Sequence, residues 1–113
     1  MAIEIKNVSD FKRALTVGTE LIMIHHQKSA GRDERGVVIY KDDEPQKRIV
    51  KKSLSTQVCF ETETGQESWI NFPKHTKVKF DGNRVTYYEP DYRIRDKEEK
   101  DLPLIPMLTY IFN

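Results

Sequence analysis

The feature that most constrains this chain is alternation in twos, closed by tight reversals. In QVCFET (57–62) Val58 and Phe60 fall on one side and Cys59 and Glu61 on the other, the pattern of a half-buried strand. SWINF (68–72) returns with Ile70 and Phe72 sharing one face and Trp69 and Asn71 the other, and the intervening turn carries Gly65, where a reversal needs positive φ. Residues 57–72 therefore read as a β-hairpin. A second follows: TKVKF (76–80) with Val78 and Phe80 inward and Lys77 and Lys79 outward, DGN (81–83) as the strongest turn signal in the chain, and RVTYYE (84–89) as the returning arm.

The remaining segments fit around these hairpins. SDFKRAL (9–15) reads as a short helix with Ser9 as N-cap, Asp10 against the helix dipole, and Phe11, Ala14 and Leu15 as its apolar stripe, ended at Gly18. TELIMIHH (19–26) reads as a strand, HQKSAGRDERG (26–36) as a long mobile loop, VVIYK (37–41) as a second strand, DDEP (42–45) as a turn, and KRIVKKSL (47–54) as a third strand. Residues 91–101 carry dense charge without apolar period and read as a solvated, flexible excursion holding at most one helical turn. The closing MLTYIF (107–112) is too apolar to stay in water, so it is expected to dock as a last strand on its own sheet or on a second copy, which allows a homodimer. The sum is one mainly β domain over 1–113: a small antiparallel sheet curling into an SH3-like, partly closed barrel, with one short N-terminal helix.

Composition narrows the functional classes. Nineteen basic against eighteen acidic side chains leave a net charge of +1, so no global field attracts nucleic acid, and any such partner needs a local patch. Cys59 is the only cysteine, which points to a redox-neutral, cytoplasmic setting without disulfides. No apolar run is long enough to span a bilayer, and the N-terminus does not read as an export signal, so no membrane partner is expected.

Catalytic chemistry finds little support. His25 and His26 are adjacent, so on a strand they point to opposite faces and cannot chelate one ion together, and His75 is remote in sequence. A nucleophile pair between Cys59 and one of these histidines would need the fold to bring them together. The carboxylates of Asp42, Asp43 and Glu44 and of Glu61, Glu63 and Glu67 lie in wet turns and a hairpin, without the contrast in desolvation that acid–base pairs need. The expectation is a protein that is not an enzyme and holds no metal or cofactor.

Binding features are stronger. Lys47, Arg48, Lys51 and Lys52 come from one strand and Lys74, Lys77 and Lys79 from the corner and strand beyond the hairpin, with Trp69, Tyr87 and Tyr88 near them in sequence. Basic side chains interleaved with stacking faces suit single-stranded nucleic acid. The acidic Glu61, Glu63 and Glu67 stand between the two basic segments and suit a protein partner that normally holds phosphates. Because Ile70 and Phe72 serve the core, Trp69 is on the other face. The favoured expectation there is burial under Phe11 and Leu15, and the alternative is an anchor for a partner.

The order of SDFKRAL, GTEL, KRIVKKSLSTQVCFETETGQESWINFPK, KVKF, DGN, VTYYE and LTYIF resembles a class of small proteins of unknown function encoded by phages, prophages and plasmids of Gram-positive bacteria. Its specific part is Lys47, Arg48, Phe60, Thr62, Ser68, Trp69, Phe72, Pro73 and Lys74. The resemblance implies a β-rich fold and a mobile-element origin, and attaches no activity. By analogy of origin, the expected function is a binding module that blocks a host protein stoichiometrically, such as a CRISPR nuclease (an anti-CRISPR), with a nucleic-acid-binding β-barrel as the alternative.

Overall fold

The structure is a computed structural model that describes residues 3–72 and 77–112. Helix α1 spans Val8–Ala14 and is followed by strands β1 (Glu20–His25), β2 (Lys28–Arg32), β3 (Val38–Lys41), β4 (Gln46–Ser53) and β5 (Gln57–Thr62). Strands β6 (Glu67–Asn71), β7 (Val78–Asp81), β8 (Arg84–Pro90) and β9 (Leu104–Phe112) follow, with a 3-10 turn at Glu99–Asp101 before β9. Seven strands form an antiparallel sheet in the order β6-β5-β4-β1-β9-β8-β7, curled as a half-barrel, and β2 and β3 form a separate two-stranded ribbon. Pro73, Lys74 and His75 lie outside the described residues.

The helix is capped two residues earlier than Ser9. Asn7 is the N-cap, its side chain accepting from the Asp10 N–H at 2.8 Å, while the Asp10 carboxylate accepts from the Lys6 N–H at 3.0 Å. Its seven residues are too few to stand alone, so packing must hold them. Phe11 is fully buried, edge-on to Phe72 and Phe112 at 6.0 Å and to Tyr87 at 6.2 Å. The helix thereby plugs the concave side of the sheet and joins strands from both of its ends. Phe60 and Tyr110, stacked at 5.3 Å, extend the same core, with Ile5, Leu15, Leu21, Val50, Val58 and Val85 around them.

Two irregularities bend the sheet. The β4–β5 register shifts between Val50 and Lys52, and the β8–β9 register between Tyr87 and Tyr88. Extra residues of this kind bend the strand that carries them and increase its twist, which is how a short sheet curls around one helix. The 57–72 hairpin closes as expected at Gly65, with φ 82, and the DGN turn at Gly82, with φ 61. Gly82 is the first of two loop residues, where the type II′ turn demands positive φ.

One expectation fails, and of the two docking alternatives for the C-terminal strand the one on its own sheet holds. The stretch 26–36 is not a structureless loop: Lys28–Arg32 pairs with Val38–Lys41, although all five of its residues are exposed. An all-exposed strand has no apolar period to reveal it. The C-terminal strand begins at Leu104 and lies between β1 and β8, with both edges paired in its own chain. It therefore offers no free edge to a second copy.

Candidate functional site

Cross-strand register decides what shares a face. Cys59 pairs with Trp69 on one side and Lys52 on the other, and Glu61 pairs with Glu67 and Ile49. These six side chains occupy the convex face, opposite Val50, Phe60 and Ile70. Trp69 is 43% exposed and Ile49 39%, whereas Cys59 is fully buried beneath its neighbours. Trp69 is thus not buried under Phe11 and Leu15. The helix covers the concave face, and the alternation of β6 puts the indole on the other.

The charges on this face answer one another. Lys51, the extra residue of the β4 irregularity, donates to Glu67 at 2.9 Å, and Glu63 accepts from the Lys47 backbone N–H at 2.9 Å. The hydrogen bond from Lys51 holds the Glu67 carboxyl below the ordinary carboxylate range, and Glu67 in turn raises Lys51. The basic strand and the acidic hairpin, read from the sequence as two competing surfaces, are one salt-linked surface with an indole at its edge.

The remaining basic candidates scatter. Arg48 lies opposite Leu21, on the concave side, with its guanidinium on the Gln46 side chain at 2.7 Å and on the Lys47 carbonyl at 2.9 Å. Lys79 is on β7, separated from β4 by three strands, with its ammonium 5.3 Å from the centre of the Tyr88 ring. Lys77 is half-buried just before β7, in a cleft with Phe72 and Tyr87, and Lys74 is outside the described residues. Topology does not gather these residues into one patch with Lys51 and Lys52.

Cys59 has no histidine partner within the described residues. Burial pushes its thiol up, and the Glu67 carboxylate, 3.8 Å from the sulfur, adds to the rise, the opposite of what a reactive thiolate needs. His25 and His26 lie at the end of β1, on the far side of β4 from Cys59, and His75 is outside the described residues. Among the described residues no group of three His, Cys, Asp or Glu side chains could hold a metal ion, and no helix is long and apolar enough to cross a membrane.

One polar constellation was not legible in the sequence. His26 Nδ1 is 2.7 Å from Asp42 Oδ1, His26 Nε2 is 2.6 Å from Thr109 Oγ1, and Thr109 Oγ1 is 2.9 Å from Thr86 Oγ1. With His26 neutral, these partners assign Nδ1–H donating to Asp42 and Nε2 accepting from Thr109, which accepts from Thr86. The order of groups is that of a hydrolase triad, but the hydroxyl at the nucleophile position belongs to Thr109, a residue only 5% exposed at the centre of the sheet. The relay satisfies buried hydroxyls and ties β8, β9 and β1 to the turn before β4. Its members span up to 83 residues of sequence, so no local pattern announces it.

A shallow cleft of about 270 Å³ opens between the ribbon and the segment after β8. Arg93 fills its rim, 4.3 Å from the Tyr40 ring and bonded to Asp91 through Nε at 2.7 Å. Comparison with protein-family models, with curated proteins and with solved structures gives no match.

Proposed function

We propose that this chain is a non-enzymatic binding module that grips a protein partner with the convex face of β4, β5 and β6, anchored on Trp69. The observation that carries the reading is a large aromatic side chain left 43% exposed on a stiff hairpin whose opposite face is locked into the core by Phe60, Ile70 and Phe72. Rigid, partly exposed Trp is the side chain most enriched among residues that dominate binding energy. Around it Lys51, Lys52, Glu61 and Glu67 supply charges of both signs, which set orientation and exclude wrong partners more than they add affinity.

By analogy with the mobile-element origin that the resemblance implies, the partner we propose is a host defence protein blocked one-to-one, such as a CRISPR nuclease. On this reading the protein works in the cytoplasm of a bacterial host cell. The pairing of Lys51 with Glu67 and the distance of Lys79 from β4 favour a protein over a nucleic acid. Capture from host lysate is the test. The native chain should recover a defined protein in near one-to-one amounts, and Trp69→Ala should lose it. Oligonucleotide binding that weakens steeply with salt and disappears in Lys51→Glu with Lys52→Glu would support the nucleic-acid alternative instead.

A further inference from the structure

We infer that the free edge of β6 is a self-pairing surface, through which two copies of this chain join their sheets in antiparallel register about a two-fold axis at Trp69. Among the described residues β6 pairs only with β5. The Thr62 N–H donates to the Gln66 carbonyl and the Phe72 N–H to the Thr56 carbonyl, so the even-numbered residues of β6 make the ladder to β5. Antiparallel alternation then turns the N–H and C=O of Glu67, Trp69 and Asn71 outward, a row of donors and acceptors that another strand can complete. The Asn71 carbonyl also accepts from the Tyr87 hydroxyl at 3.4 Å, and its second lone pair remains for a partner.

Of the devices that normally blunt an edge, proline, lysine and a bulge are missing from Glu67–Asn71, and Glu67 is the one charged residue of the strand. The opposite edge, β7, is only four residues long, carries Lys79, and has Val78 at 8% exposure. β9, the other strand with the composition to pair, is already enclosed by β1 and β8.

Register selects a second copy as the occupant. Outward-facing residues must pair with outward-facing residues, and a two-fold at Trp69, the midpoint of β6, uses all five of its residues. It sets Trp69 against Trp69, Glu67 against Asn71 and Ser68 against Ile70, so each carboxylate meets a neutral amide and no like charges oppose. A two-fold at Ser68 or Ile70 would leave part of the strand unpaired. The two indoles become a cross-strand aromatic pair, a favourable arrangement, on one continuous convex surface. The dimer does not depend on the proposed host partner.

Sedimentation velocity of the full chain over a concentration series tests this. The native chain should move to twice the single-chain mass as concentration rises. Asn71→Lys places an ammonium opposite each Glu67 and should tighten the dimer, whereas Asn71→Glu places like charges there and should weaken it. Both variants replace the Asn71 Oδ1 that accepts from Gln57, a bond within one chain, and with two cross-axis charge pairs per dimer their dissociation constants should differ on the order of tenfold. Trp69→Lys, which opposes two ammonium groups at the axis, should be monomeric with an unchanged far-ultraviolet circular dichroism spectrum. A native chain at single-chain mass throughout the series would overturn the inference. So would a dimer equally strong in Asn71→Lys and Asn71→Glu, since it would use another surface.

Discussion

Trp69 lies directly across the β5–β6 pair from Cys59, the indole 43% exposed and the thiol fully buried below it. One strand pair thus sets an exposed aromatic side chain beside a buried thiol at adjacent positions. If the indole is the cover, Trp69→Ala should uncover the sulfur. Thiol labelling under native conditions should be slow in the native chain and clearly faster in the variant. Equal rates would mean that other neighbours seal Cys59.

Phe11 is the link between helix and sheet, with ring contacts to Phe72, Tyr87, Tyr110 and Phe112. Phe11→Ala should cost about 3–5 kcal/mol in urea unfolding, the range for deleting a fully buried phenyl ring. A loss below about 1 kcal/mol would mean that the helix is an accessory to a sheet stable without it.

The His26 relay predicts an order of effects. His26 is largely enclosed while the Asp42 side chain is 66% exposed. His26→Ala removes bonds to both neighbours and should cost about 1–3 kcal/mol, as deleting one partner of a buried polar network does. Asp42→Ala should cost less, because water replaces the lost carboxylate. Amide exchange near Asp43, whose N–H donates to the His25 carbonyl, should quicken in His26→Ala.

Much of the architecture was legible because period two survives wherever one face is buried. The 57–62 and 67–71 strands show it, and Gly65 and Gly82 mark their turns or those of the next pair. What escaped had physical causes. Lys28–Arg32 buries nothing, so its pairing has no apolar signature. Ser9 and Asn7 both suit a cap, and only the bond to the Asp10 N–H decides between them. The extra residue at Lys51 turns it toward Glu67, a pairing that strict alternation hides. The lysines near one another in sequence proved far apart because β1, β9 and β8 intervene between β4 and β7.

Stability should fall at both ends of the pH range. Hydrogen bonds from Lys51, Lys28 and Arg93 hold Glu67, Asp43 and Asp91 below their ordinary carboxylate values. A lowered folded value means a contribution present above the unfolded pKa and lost as pH falls through the folded one. Burial raises Tyr87 and Tyr110, so their contribution is full below the ordinary phenol value of 10.0 and is lost as pH rises past it. Urea midpoints against pH should show both limbs, with Lys51→Met softening the acid limb and Tyr110→Phe the alkaline one.

The most direct measurement uses the chain's single tryptophan as its own reporter. Once a partner has been captured, acrylamide quenching of Trp69 should be efficient in the free chain and strongly suppressed in the complex, with emission shifted to the blue. A tight complex in which Trp69 stays as quenchable as before would contradict the claim that this convex face does the gripping.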